Sequence, residues 1–335
     1  MIREAINKLV NRENLSQEES SMAMNEIMSG EATPAQISSF ITALRMKGET
    51  IDEITGCAKV MREKVMPIKT DADYVVDTCG TGGDNSHTFN ISTISALVAA
   101  GAGVRIAKHG NRAVSSDCGS ADVLKALGVN IDADADKVSK CIDEVGIGFL
   151  FAPLLHPAMK YAITPRREIG IRTIFNILGP LTNPASAKGQ VLGVYDEKLT
   201  EPLAYVLKNL GSEHVFVVHG ADGLDEMTIT DKTFVSELKG GMVHTYTIAP
   251  EDFGIHKADR SELIGGTIDD NAKIVLNILN GEKGAKRDIV LLNAGTAIVA
   301  GGKASDIKEG IYLAEESIDS GKALQKLEML IKYSA

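Results

Sequence analysis

Through the first 66 residues, apolar side chains recur every three or four positions, the spacing that gathers them on one face of a helix. Ile2, Ile6, Leu9 and Val10 mark a first helix. Ser16 followed by Glu19 is a capping box for a second, which stops at Gly30. Thr33-Pro34 opens a third, with Ile37, Phe40, Ile41 and Leu44 on one face and Gly48 as its stop. Ile51 to Met66 gives a fourth, ended by Pro67. No strand pattern interrupts them, so residues 1–70 are expected to form a small helical domain.

From Asp73 the pattern changes to strands alternating with helices. Tyr74-Val75-Val76, Gly103 to Ala107, Ile147 to Phe151, Gln190 to Val194 and Val215 to Val218 read as strands. Ile94 to Ala102, Ser120 to Gly128, Asp134 to Val145 and Leu199 to Leu210 read as the helices among them. Residues 156–185 are dense in Asn, Gly and Pro and suggest shaped turns after one helix; residues 232–262 hold short strand-like runs. Ala272 to Leu279, Ala304 to Ser317 and Lys322 to Lys332 are helical, while Ile289 to Val299 is apolar enough to suit either element. The alternation predicts an α/β fold: the helical N-terminal domain, joined by some helices from about 160–185, and a larger α/β domain over 71–335 with a mostly parallel central sheet. In such sheets ligands gather beyond the carboxyl ends of the strands.

Candidate chemistry starts at Gly80-Thr81-Gly82-Gly83-Asp84, between a strand and a helix start. Glycines there permit positive φ and let backbone N–H groups converge on an anion. Asn90, Ser92 and Thr93 stand where the following helix begins, a second place for an anion. No Gly-Lys-Ser/Thr follows, so this is not a P-loop, and the sixth position of the glycine run is Asn85, which breaks the dinucleotide spacing. By itself the loop also fits an ordinary βα turn. Lys108-His109-Gly110-Asn111-Arg112 is a basic loop expected on the same sheet edge. Asp225-Glu226 follows a strand and suits Mg²⁺, although a solvated acidic turn would look the same.

Composition narrows the partners. A chain of 335 residues is long enough for two domains, and a net charge of −10 without a basic run gives no nucleic-acid surface. Met1-Ile2-Arg3-Glu4 lacks a signal-peptide core, and the longest uncharged run, Thr88 to Val104, is short for a membrane span. Cys57, Cys79, Cys118 and Cys141 form no CxxC pair and are expected to be reduced, in a cytoplasmic protein, with Cys79 beside the glycine loop the one candidate for oxidation.

Gly80-Thr81-Gly82-Gly83-Asp84 with Asn90-Ile91-Ser92-Thr93, Lys108 to Ser116, His156 to Lys160, Arg166 to Pro184 and Gly223-Leu224-Asp225-Glu226-Met227-Thr228 stand in one order along the chain. In these motifs the sequence resembles the anthranilate phosphoribosyltransferase family of tryptophan biosynthesis, from about residue 3 to residue 330. The resemblance implies a homodimer that joins anthranilate to 5-phosphoribosyl-1-diphosphate (PRPP) with Mg²⁺ as cofactor, releasing pyrophosphate. Its diphosphate and ribosyl contacts map onto Gly80, Gly83, Asp84, Thr88, Asn90, Ile91, Ser92, Thr93, Lys108, Asn111, Ser116 and Ser120. Its anthranilate contacts map onto Gly80, Asn111 and Arg166, and its metal ligands onto Ser92, Asp225 and Glu226. No catalytic base is implied, since an aromatic amine is already neutral at pH 7. Two departures stand out: Asp117-Cys118 replaces a usual Lys-Ser, and Gly295 replaces a usual alanine, a change expected to be harmless. The competing readings are a pyrimidine nucleoside phosphorylase of the same fold and a silent diphosphate-binding regulator; the acidic pair and the long Arg166 to Pro184 motif favour the transferase.

Overall fold

A computed structural model describes residues 1–84, 86–112 and 118–335. Four helices open the chain: α1 (Ile2–Val10), α2 (Gln17–Met28), α3 (Pro34–Lys47) and α4 (Ile51–Lys64). Ser16, Thr33 and Thr50 each accept from the backbone N–H three residues on and are answered by Glu19, Gln36 and Glu53, so all three later helices begin on a reciprocal capping box. Ile2, Leu9, Ile37, Phe40, Ile41 and Leu44 are buried as their spacing predicts. Val10 is the exception: it is 63% exposed at the last turn of α1.

The rest of the chain is β1 (Val76–Gly80), α5 (Ile91–Gly101), β2 (Ile106–Gly110), α6 (Ser120–Ala126), α7 (Ala135–Lys140), β3 (Ile147–Phe151), α8 (Ala152–Leu155), α9 (Lys160–Ile169), α10 (Phe175–Leu178), β4 (Gly189–Gly193), α11 (Thr200–Asn209), β5 (His214–Gly220), β6 (Thr233–Lys239), β7 (Met242–Ile248), α12 (Ile268–Leu279), α13 (Ala285–Ala300), α14 (Ile307–Asp319) and α15 (Lys322–Ser334). Among the described residues these strands form one seven-stranded sheet, ordered β3-β2-β1-β4-β5-β6-β7. The five strands from β3 to β5 are parallel, and β6 and β7 extend the sheet antiparallel. The chain winds outward from β1 to β3, then crosses back to place β4 on the other side of β1. That reversal puts a crevice at the carboxyl ends of β1 and β4, at Gly80 and Gly193.

Side-chain alternation splits the core in two. Phe216 and Val218 of β5 join α5, α13, α14 and α15 on one face of the sheet. Val215 and Val217 face the other way and join α1 to α4, α9, α10 and α11. The segment 160–178 therefore shares a core with the N-terminal helices.

Two strands lie further along than their apolar runs suggest. β1 starts at Val76 and carries Asp77 and Thr78, both buried. Asp77 accepts from the His109 amide at 3.0 Å and from Asn183 Nδ2 at 2.8 Å, and Thr78 Oγ1 donates to the Ser92 carbonyl at 2.9 Å. With every polar group partnered, a central strand tolerates them. Likewise β2 begins at Ile106, because Gly103 (φ +90°) ends α5 in a left-handed turn. Lys108, His109 and Gly110 are thus strand residues, and the basic loop begins only at Asn111.

The ambiguous Ile289 to Val299 run lies within α13, a helix buried on nearly all sides. It crosses α14 at paired glycines. A Cβ on Gly295 would stand 2.7 Å from the Ile311 nitrogen and 2.9 Å from the Gly310 carbonyl carbon, so alanine at 295 is not a neutral replacement. The four cysteines are free and buried. Cys79 is no reactive thiol: burial and the neighbouring Asp77 raise its pKa well above the usual value, and its sulfur accepts from Gln190 Nε2 at 3.1 Å.

Candidate active site

The crevice is closed by the acidic turn lying across the ends of two strands. Only glycine permits that approach: a Cβ on Gly193 would stand 1.5 Å from the Asp225 carbonyl oxygen, and one on Gly80 would stand 2.4 Å from Asp225 Oδ2. The loop after β1 turns through Gly82 (φ +64°) and Gly83 (φ +77°), and the Gly82 amide donates to Asp225 Oδ2 at 2.7 Å. Thr81 joins the loop to β4: its amide donates to the Gly193 carbonyl at 2.9 Å, and its hydroxyl accepts from the Tyr195 amide at 3.1 Å. Beyond Gly83, the Ser86 hydroxyl donates to Asp84 and lies 3.3 Å from the Thr88 hydroxyl.

Ile91, Ser92 and Thr93 form the first turn of α5. Asn90 occupies the cap position but does not cap. Its Nδ2 donates instead to the Cys118 carbonyl at 3.0 Å, tying the helix start to the chain before α6. Lys108 reaches inward from β2, donating to the Thr78 carbonyl at 2.5 Å and to Ser92 Oγ at 3.3 Å. Burial lowers its pKa, opposed by Asp77, Cys79 and Glu226. Lys108, Ser92 and Glu226 thus form one group, while Asp225 clasps the glycine loop next to it.

The electrostatics of the acidic pair are informative. Both residues keep partial contact with solvent, but the protein crowds their carboxyl groups. Burial, with Asp84 and Glu226 adding like charge, raises the Asp225 pKa well above the carboxylate range. Burial also pushes Glu226 up to about 8, against the pull of Lys108 and Ser92. Carboxylates held close together, facing a lysine and a glycine loop, have the charge that a divalent cation would neutralise. Asn90 Oδ1 and the Thr93 hydroxyl add to this: they are buried and have no hydrogen-bond partner among the described residues. Two carboxylates and a hydroxyl fit Mg²⁺, which keeps water and takes its other ligands from substrate phosphate. Among the described residues no cluster of three or more His, Cys, Asp or Glu forms a cage of protein ligands alone.

The remaining expected residues divide. Asn111 and Ser120 meet, with Ser120 Oγ donating to the Asn111 carbonyl at 3.3 Å. Ser116 lies outside the described residues, as does Asp117. Arg166, on α9, is not brought to Gly80 or Asn111 by any hydrogen bond among the described residues. Its guanidinium packs over the Phe175 ring at 5.1 Å, and burial lowers its pKa. Three further groups lie within the motifs but are not among the expected site residues. His109 and His156 meet at 3.1 Å between their Nε2 atoms; burial takes their pKa values to about 3 and about 4, so both are neutral and one donates to the other. Asn183 donates to both Asp77 and the Ala107 carbonyl, each at 2.8 Å, which fixes β1 against β2 beneath the site. Arg172 donates to the Gly83 carbonyl and lies over the Tyr195 ring at 4.5 Å.

Comparison with known proteins fits this arrangement. The helical bundle domain of a glycosyl transferase family matches residues 3–65, and the a/b domain of the same family matches residues 72–324. The anthranilate phosphoribosyltransferase of Acetivibrio thermocellus is 60% identical over 334 residues, covering 100% of this chain and 97% of that one. The chain belongs to the anthranilate phosphoribosyltransferase family. Within that family, the crystal structure of the Thermus thermophilus enzyme superposes with a TM-score of 0.94 at 42% identity, over 98% of this chain and 99% of that one. The Saccharomyces cerevisiae family member in complex with PRPP and Mg superposes with a TM-score of 0.90 at 30% identity, over 99% and 97% of the two chains. The helical N-terminal layer and the mostly parallel α/β sheet are the family fold.

Proposed function

We propose that this protein transfers the 5-phosphoribosyl group of PRPP to the amine of anthranilate, giving N-(5-phosphoribosyl)anthranilate and pyrophosphate, a step of tryptophan biosynthesis. The observation that carries the reading is the clasp of the Gly82 amide on Asp225, which seats a glycine loop, two carboxylates and Lys108 around one crevice.

In the reaction the bond from ribose C1 to the diphosphate oxygen breaks, and its electron pair leaves with pyrophosphate. The anthranilate nitrogen supplies the pair for the new N–C1 bond and releases a proton to solvent. The amides after Gly80 and the start of α5 at Asn90 to Thr93 receive the diphosphate. Lys108 adds a point charge, and Asn111 and Ser120 border the ribosyl side. Asp225, Glu226 and Ser92 would hold Mg²⁺, which when bound neutralises charge on the leaving group. Arg166 offers a planar fork for the anthranilate carboxylate. Catalysis then rests on positioning and on charge arranged in advance, with no general base. The neutral His109–His156 pair adds no cation to compete for either substrate.

The division into a helical domain (1–70, with helices from 160–185) and an α/β domain (71–335) is part of the same reading, supported by the core that α9 and α10 share with α1 to α4. A homodimer is proposed with it. Val10, Met46 and Ile163, on the neighbouring helices α1, α3 and α9, are exposed apolar side chains that would suit such a contact, and sedimentation tests it. A cytoplasmic setting is proposed with the biosynthetic reaction; among the described residues no helix is long and apolar enough to cross a membrane. The function is tested by following anthranilate fluorescence with PRPP, with and without Mg²⁺. A nucleoside phosphorylase of the same fold would instead consume uridine or thymidine with phosphate and would be indifferent to EDTA.

A further inference from the structure

The loop that receives the diphosphate is held from two sides. On one side the Gly82 amide is bound by Asp225. On the other, Thr81 is tied to the Tyr195 backbone and Gly83 to the Arg172 side chain, and neither Tyr195 nor Arg172 is among the expected site residues. The Thr81 hydroxyl accepts from the Tyr195 amide at 3.1 Å, the Tyr195 ring carries the Arg172 guanidinium at 4.5 Å, and that guanidinium donates to the Gly83 carbonyl. The circuit Thr81–Tyr195–Arg172–Gly83 closes on itself around the two glycines with positive φ.

Arg172 is aimed there by the chain. α9 ends at Gly170, whose left-handed conformation (φ +63°) turns the backbone away from the helix axis. Asn176 Oδ1 then accepts from the Thr173 amide at 3.0 Å and fixes the start of the next turn. The guanidinium lies close against the turn: a Cβ on Gly83 would stand 2.9 Å from Arg172 Nη2. One arm of the guanidinium serves Gly83, and no carboxylate of the described residues forms an ion pair with it. A planar cation with spare donors, stacked on an aromatic face and left unneutralised beside a diphosphate loop, is arranged to meet an anion.

We propose that Arg172 is a positioning residue of the PRPP site: it holds the Gly83 turn in the conformation that presents its amides, and it brings a second positive charge, besides Lys108, to the diphosphate. Tyr195 is the platform that orients it. The proposal rests on the PRPP reading of the crevice. It also gives the α9–α10 segment, which carries Arg166, a direct hold on the diphosphate loop.

The test compares the unaltered chain with Arg172→Gln, Arg172→Lys and Tyr195→Leu by steady-state kinetics in both substrates, together with thermal unfolding. Losing a charged hydrogen bond predicts that R172Q raises the PRPP Michaelis constant about 10- to 100-fold, with the anthranilate constant and the unfolding midpoint nearly unchanged. R172K restores part of the loss by keeping the charge without the fork, and Y195L falls between R172Q and the unaltered chain. An unchanged PRPP constant in R172Q overturns the proposal. So does a rise in both substrate constants with a lowered unfolding midpoint, the mark of a packing role alone. Calorimetric titration of PRPP onto the unaltered chain and R172Q reads the same difference without turnover. An inactive unaltered chain that still binds PRPP more tightly than R172Q would therefore overturn the proposed reaction and leave Arg172 in its role.

Discussion

The amide of Gly82 and the carboxylate of Asp225 meet at 2.7 Å, across a gap that Gly80 and Gly193 keep open. This contact joins the two motifs furthest apart in the candidate site and sets the carboxylate beside the loop it serves. An amide in place of that carboxylate keeps an acceptor for Gly82 but removes the charge. Asp225→Asn is therefore expected to fold normally and to lose turnover by about 10²–10³-fold, the cost of removing one preorganised charge from a transition state. Steady-state rates across a Mg²⁺ titration check it; full activity in D225N at low Mg²⁺ would remove Asp225 from the metal site.

The His109–His156 pair makes stability depend on pH. In the folded chain the two titrate near 3 and 4, below the usual histidine value of 6.5. As pH falls below about 6.5, the unfolded chain takes up two protons that the folded chain refuses, so the pair lowers stability by up to about 1.4 kcal/mol per pH unit for each histidine. That loss grows until the folded pair itself titrates, near pH 4 and below. Between pH 6.5 and 5, the double variant His109→Gln/His156→Gln should lose less of its unfolding midpoint than the unaltered chain. Parallel curves would show that the pair is not held neutral.

Gly295→Ala tests the crossing of α13 and α14. An added methyl meets the backbone of Gly310 and Ile311, which cannot rotate away, so destabilisation of about 1–3 kcal/mol is expected. Urea unfolding measures it. An unchanged midpoint would mean that the two helices part without cost.

Asp117 lies outside the described residues, and the expectation for it rests on charge alone. The resemblance implies a lysine at this position of a PRPP-binding motif, so restoring the positive charge in Asp117→Lys should lower the PRPP Michaelis constant. Equal constants for the variant and the unaltered chain would refute that.

The sequence made the helices plain where its signals are local. Ser16, Thr33 and Gly48 mark starts and stops that hold in the structure, because capping needs only neighbours in the chain. The sheet was harder to read where tertiary partners override composition. Asp77 looks like the start of a loop and is instead a buried strand residue, satisfied by His109 and by Asn183, which lies over a hundred residues further along the chain. Lys108 and His109, which read as loop, are strand residues for the same reason. In the site, Gly82, Lys108, Asp225 and Glu226 carry recognisable chemistry and do come together. Arg172 does not announce itself, since nothing in its neighbourhood of the sequence points to Gly83 or Tyr195. The close approach of Gly295 to Gly310 is likewise silent in the sequence, because a helix crossing leaves no trace in a single segment.

The most direct measurement of the central claim is anthranilate fluorescence in the presence of PRPP, recorded with Mg²⁺ and again after EDTA. The account predicts a steady loss of fluorescence that needs both PRPP and the metal. Unchanging fluorescence from folded protein with both present, or a loss indifferent to EDTA, would contradict it.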